Sequence, residues 1–367
     1  SFEVIFRMSQ ETRRSKILKL AAVSALVSIV HTIFSGFNEA IRREKMGLKG
    51  KDVAKSVQFF YDENIQAEKN ISSKNEDRNT SSKSLDVSLD RSFGLPVILK
   101  LLNFLVSTLD PNGVSPIVRK LIAGEVDHSK IQKIGLRLLN IALCDCGLAL
   151  SRFKPAVMLI GNDLCKYLIQ TMLVAPNFLY SSLQIFRTLV IYLRVNLKTQ
   201  IEAVFNAVYL RALSGSIKSR ESIEIVLESL SDLGSIPTLW TELYINFDCD
   251  PRCTNVLENL CKFLSKNTFP IFIRVEKLHV LGYTQLLSLK CLIHGLKFIA
   301  TRSENVNTVA RDNSFSGSRD SSDIEKMLRK ARKQKELIGR IVGPFNAKPR
   351  HAVKLLEDAG LISNNIS

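Results

Sequence analysis

Asn246-Phe247-Asp248-Cys249-Asp250 sets an amide, two carboxylates and a thiol side by side within an otherwise apolar helical pattern. With Cys253 nearby, the ingredients suggest a metal site or a nucleophile, but the spacing supplies neither. Cys249-x-x-x-Cys253 and Cys144-Asp-Cys146 lack the paired Cys-x-x-Cys arrangement that closes around zinc, and no histidine adjoins either pair. The histidines, His31, His128, His279, His294 and His351, lie far apart, and none stands beside a Ser or Cys in a nucleophile-like frame. The 17 glycines fall singly, so no phosphate-cradling loop is present. No catalytic, cofactor-binding or metal-ligating residue is therefore assigned. What the cluster can do is accept and donate hydrogen bonds. Asn246, Asp248 or Asp250 can cap a helix starting near Thr254, because short oxygen-bearing side chains satisfy free backbone N–H groups. A single cap does not need so many polar groups, and Tyr244, Ile245, Phe247 and Cys249 around them read as buried. A buried polar cluster must be fully hydrogen-bonded. The expected role is architectural: a joint that ties its segment to a neighbouring helix pair.

A second concentration of charge is Lys326, Arg329, Lys330, Arg332, Lys333 and Lys335. The chain as a whole carries a net charge of +16 with a pI near 9.6, which favours anionic partners: phospholipid headgroups, nucleic acid or an acidic protein surface. No stacking aromatics interleave the basic run, which argues against nucleic acid. A solvated basic helix or one touching anionic phospholipid remains.

The elements that must position these groups are helical. Apolar residues Val97, Ile98, Leu101, Leu102, Leu105 and Leu109 recur at three- and four-residue spacing. The same periodicity predicts helices over 130–146, 156–174, 178–195, 199–214, 218–233, 236–244, 252–267 and 276–300, broken at Gly147, Pro155, Pro176, Gly215, Gly234 and Pro270. No βαβ alternation occurs. Helices of this length joined by short loops, without a fixed repeat consensus, predict an all-α fold: an irregular armadillo- or HEAT-like α-solenoid, with a globular bundle as the alternative. Residues 63–93 and 301–323 are Ser-rich and poor in apolar side chains, and read as two disordered linkers. The divisions expected are thus 1–62, 63–93, 94–300, 301–323 and 324–367, the last a truncated helical domain. The apolar run Leu20–Phe34 is short for a bilayer span, and Ser24, Ser28, His31 and Ser35 draw a polar stripe along it, as in a helix packed in a soluble bundle. Seven cysteines, an odd number without a secretory leader, read as reduced cytosolic thiols. Ser1 in place of Met suggests that the natural N-terminus lies upstream.

The cluster at 246–250, followed by Asn255-Val256-Leu257-Glu258 and by Leu264-Ser265-Lys266-Asn267-Thr268-Phe269-Pro270, resembles the signature box upstream of the exchange domain in the large Golgi-type Arf guanine-nucleotide exchange factors. Gly135-Leu136-Arg137-Leu138-Leu139-Asn140 resembles an earlier landmark of that region. Glu11-Thr12-Arg13-Arg14-Ser15-Lys16-Ile17-Leu18 resembles the end of the dimerisation and cyclophilin-binding region. Lys333-Gln334-Lys335-Glu336-Leu337, Phe345-Asn346-Ala347-Lys348-Pro349 and Leu355-Leu356-Glu357-Asp358-Ala359-Gly360-Leu361-Ile362 resemble the first helices of the Sec-seven exchange domain. Phe247 stands where the family usually has Tyr.

The resemblance implies a cytoplasmic protein recruited peripherally to Golgi membranes, self-associating, and acting through its full-length form on an Arf-family GTPase to start vesicle-coat assembly, with no nucleic-acid partner. It implies that 1–62 is the end of the dimerisation region, 94–300 the homology-upstream region and 324–367 the start of the exchange domain. The sequence stops before the helices that carry the catalytic glutamate, so a regulatory and scaffolding role without exchange activity is expected of this chain. The alternative is a stand-alone helical-repeat adaptor for acidic protein or membrane surfaces.

Overall fold

The computed structural model describes residues 2–10, 15–47, 94–111, 128–216, 219–236, 238–269, 271–273, 278–312 and 318–347, with the isolated positions 119 and 353–354. The expected linker 63–93 and the landmarks at 11–14, 348–349 and 355–362 lie outside these residues. The chain divides into two units, Ser1–Tyr167 and Leu168–Ser367.

In the first unit, α1 (Phe2–Gln10), α2 (Lys16–Gly47), α3 (Leu95–Ser107) and α4 (His128–Leu150) share an apolar core. α2 buries Ala22, Leu26, Val30, Phe34, Phe37 and Ile41, a stripe at three- and four-residue intervals. Its polar stripe is turned outward, with Ser24, Ser28 and His31 exposed. By length and composition alone α2 and the helix through 154–174 are each long enough to cross a bilayer. The packing of α2 on α1 and α4 supplies a use for its apolar face without one. Phe6 meets Phe104 of α3 edge-on at 5.5 Å between centroids, a favoured aromatic geometry. Where α3 ends, the Thr108 hydroxyl donates to the Leu105 carbonyl at 2.6 Å and presses on Gly135 of α4. A Cβ at Gly135 would stand 2.0 Å from Thr108 Oγ1, so the landmark glycine is required by close approach.

α5 comprises Lys154–Leu159, the π-helical turn Ile160–Leu164 and Cys165–Val174, with Pro155 in its first turn where no N–H is needed. In the second unit α6 (Leu179–Leu193) follows a 3-10 turn at Pro176–Phe178. α7 runs Lys198–Val204, the π-turn Phe205–Leu210 and Arg211–Leu213; α8 is Arg220–Gly234; α9 is Leu239–Leu243 continued by the π-turn Tyr244–Asp248; α10 is Val256–Asn267. α8 packs between α6 and α11 (Tyr283–Asp312), and α10 packs on α11 and on the π-turn of α7. Tyr209, fully buried beside Phe186 and Phe205, satisfies its hydroxyl on Ser229 Oγ at 2.9 Å. Ser219 caps α8, its hydroxyl accepting from the Ser222 N–H at 3.3 Å. α12 (Ser318–Ala347) is the last long helix described.

The all-α class and the order of helices expected from periodicity hold, with two local differences. Beyond Pro270, where a helix is expected from 276, β1 (Ile271–Ile273) and β2 (Leu278–Val280) form an antiparallel hairpin, Ile271 opposite Val280 and Ile273 opposite Leu278. The run Ile-Phe-Ile is β-branched and aromatic, and favours extended backbone once a proline has ended the helix. α11 therefore starts only at Tyr283. The second expected linker is helical over most of its length: α11 runs to Asp312 and α12 starts at Ser318. Residues 301–323 hold no proline and the single glycine Gly317, so polarity there does not break a helix.

Candidate functional site

The 246–250 cluster is not a loop but the end of a helix. Tyr244–Asp248 form a π-turn, closed by the Cys249 N–H on the Tyr244 carbonyl at 2.9 Å. Such an insertion widens the last turn and re-aims its side chains. It carries Phe247, Asp248 and Cys249 inward, each at most 3% exposed, and leaves Tyr244, Ile245 and Asn246 outside. The expectation that Tyr244 and Ile245 are buried fails for this reason: the wider turn shifts them off the core-facing side.

Asp248 is the hub. Its Oδ1 accepts from the Leu257 N–H at 3.0 Å and its Oδ2 from the Glu258 N–H at 2.9 Å. The carboxylate therefore caps α10 from a different helix, while the residue at the formal cap position, Asn255, makes no capping bond. A carboxylate at a helix N-terminus also meets the positive end of the helix dipole. Burial raises the Asp248 carboxyl above its usual range, opposed by those two backbone N–H bonds and by Arg332.

Asp250 works outward. It accepts from Lys198 Nζ of α7 at 2.6 Å and from the Arg252 backbone N–H at 2.9 Å. Burial works against its charge, but the hydrogen bonds from Lys198 and Arg252 outweigh it and hold the carboxyl well below the usual carboxylate range. A few residues on, the Thr254 N–H and hydroxyl both reach Glu202 of α7, at 2.6 and 2.9 Å. The cluster thus pins α7, α9 and α10 together.

The basic helix is brought to the same place. Arg332 of α12 donates to the Asp248 carbonyl at 3.0 Å and pairs with Glu258, and its Nη1 lies 4.0 Å from Asp248 Oδ2. Lys335 Nζ donates to the Phe247 carbonyl at 2.6 Å. These carbonyls are the ones a helix end leaves without an intrahelical partner, and cations near a C-terminus are favoured by the dipole. Desolvation lowers the Lys335 ammonium, opposed by Asp248.

Arg332 and Lys335, read from sequence as part of a solvated or phospholipid-touching basic helix, instead make contacts within the unit: the orphan carbonyls and Glu258 satisfy them. Lys326, Arg329, Lys330 and Lys333 remain exposed. They follow at i, i+3, i+4 and i+7, one stripe turned roughly 140° from the inward pair. Arg329 leans on Glu325 along the helix.

Among the described residues no cluster of His, Cys, Asp and Glu has the arrangement of a metal site. Burial pushes the Cys165 and Cys291 thiols up to about 12. Thiols so protonated are poor nucleophiles.

Comparison with known proteins places this geometry. Residues 96–256, which include the cluster, match the family described as Mon2/Sec7/BIG1-like, HUS domain. The ARF guanine-nucleotide exchange factor GNOM of Arabidopsis thaliana is 29% identical over 203 residues, covering 53% of this chain and 14% of that protein. The Golgi-specific brefeldin A-resistance guanine nucleotide exchange factor 1 homolog of Caenorhabditis elegans is 31% identical over 239 residues, 58% of this chain and 10% of that protein. ARF guanine-nucleotide exchange factor 2 of Saccharomyces cerevisiae is 24% identical across 99% of this chain and 27% of its own length. The chain therefore spans a quarter or less of most of these relatives. The family match and these relatives together show the chain to be similar, over part of their length, to large Golgi-type Arf guanine-nucleotide exchange factors.

Proposed function

We propose that the chain is a regulatory and scaffolding part of an Arf exchange factor, in which the 246–250 joint holds the helix leading into the exchange domain. The carrying observation is the docking of Arg332 and Lys335 on the carbonyls of Asp248 and Phe247. α12 contains Lys333–Leu337, the segment that resembles the start of that domain. A joint made of buried hydrogen bonds fixes direction as well as distance, which is what a support for a catalytic domain requires. The Arf-family GTPase is then a partner of the longer protein, and the Golgi membrane its place of work. Self-association is assigned to the N-terminal region.

Membrane recruitment falls to the outward stripe, Lys326, Arg329, Lys330 and Lys333. Each cation near an anionic surface adds about 1 kcal/mol. In co-sedimentation with phosphatidylserine vesicles, Lys330→Glu with Lys333→Glu weakens binding strongly, whereas unchanged binding removes the stripe from the reading. By itself the chain leaves GDP release from Arf at its basal rate; acceleration by the purified chain would overturn the regulatory assignment.

A further inference from the structure

Beside the joint lies an apolar groove of about 310 Å³, walled by Tyr244 on α9, Leu257 and Cys261 on α10, and Leu296 and Ile299 on α11, with Trp240 at its floor. Gly295 permits the floor: a Cβ there would stand 3.2 Å from the Trp240 ring, so the indole lies flat against α11. The indole N–H is satisfied by the Gly234 carbonyl at 3.2 Å, leaving an apolar surface. Leu296 and Ile299 are 65% and 61% exposed although they flank this cavity.

The apolar surface continues along α11. Leu286, Leu289, Ile293 and Leu296 are all exposed and follow at intervals of three and four, the a and d positions of a heptad seam. The opposite face of α11 is already used, Leu287 and Cys291 being buried against the unit's core. Lys290 and Lys297 occupy the e positions beside the seam, one heptad apart, and Lys262 lies on α10; all are exposed and form no ion pair among the described residues. Of the acids around it, Glu258 holds Arg332 and Asn255, Glu242 holds Arg194 at 2.6 Å, and Glu228 and Asp232 line a cleft with Lys290, Glu228 accepting from the Tyr283 hydroxyl at 2.7 Å; two such acids against Lys262, Lys290 and Lys297 leave an excess of positive charge. The rim is net cationic around an apolar centre.

We infer that this face docks an amphipathic helix of a partner protein, with apolar residues at a and d and acidic residues on the flanks. Charge complementarity selects the occupant. An antiparallel pairing of two copies through the seam would set Lys290 against Lys297, which is repulsive at short range. An acidic helix instead meets a lysine at each heptad and inserts its apolar knobs between Leu296 and Tyr244.

The test uses the full chain and two synthetic peptides, one with Leu at a and d and Glu at e and g, the other with Lys in place of Glu. Trp240 is the chain's single tryptophan, so its emission reports occupation of the groove directly. The Glu peptide shifts that emission saturably, and Leu296→Ser, at an exposed position, weakens it by at least about tenfold. Lys290→Glu with Lys297→Glu weakens the Glu peptide and admits the Lys peptide. The inference is overturned if both peptides act alike or neither acts, if the chain dimerises without peptide and Leu296→Ser abolishes this, or if only phosphatidylserine vesicles shift the emission.

Discussion

Asp145 in the first unit and Asp248 in the second both tie separate helices together, yet one is an accessory and the other a hub. Asp145, on α4, meets His31 of α2 at 2.9 Å while its carbonyl accepts from Asn38 at 2.8 Å. The His31 side chain is 62% exposed, so water replaces that contact readily. The apolar stripe of α2 holds those helices whether or not the pair forms. Asp248 is 2% exposed, and both of its oxygens serve backbone N–H groups that have no other partner on their own helix. The same side chain is dispensable where water can substitute and indispensable where it cannot.

Substitutions can break this contrast. Asp248→Ala leaves two part-buried donors without their carboxylate and costs about 1–3 kcal/mol in chemical denaturation, with Asp248→Asn falling between it and wild type. A cost indistinguishable from that of Asp145→Ala would erase the distinction. Gly135→Ala, in the first unit, forces a methyl into Thr108 and costs about 1–3 kcal/mol through overpacking. That substitution shows whether close approach, rather than the polar pair, is what specifies α3 against α4.

Asp250→Asn costs about 1 kcal/mol at neutral pH. The folded carboxyl lies below its unfolded value of about 3.9, so its contribution is present above that value and is lost as pH falls through the folded one. The difference in melting temperature between wild type and Asp250→Asn therefore narrows below about pH 4. Asp248, raised by burial, has the opposite sign: its titration favours the fold at low pH and loses that as pH rises through the folded value. The smallest effect is Asp145→Ala, below about 1 kcal/mol by melting temperature.

Much of the helical order was legible because it rests on local periodicity. Lys198–Leu213 and Val256–Asn267 lie within a few residues of the expected 199–214 and 252–267. The joint was legible as a hydrogen-bonded structure because its polar groups are contiguous. Its partners were not: Arg332 and Lys335 stand 84 and 88 residues from the carbonyls they bind. Composition marked those residues as cationic but could not divide them between an inward and an outward face, since the division depends on where Asp248 and Phe247 end their helix. The π-turn was equally hidden, because one extra residue in a turn leaves no composition of its own.

α12 has a mechanical consequence. From Arg332 to Ala347 it runs about 22 Å at 1.5 Å rise per residue, held at Arg332 and Lys335 and again where Ile341 is buried. A tilt of about 10° about the Asp248 carbonyl would sweep its far end through roughly 4 Å. The burial of Ile341 opposes such a tilt, so the joint and that apolar contact together set the direction in which the helix reaches Ala347.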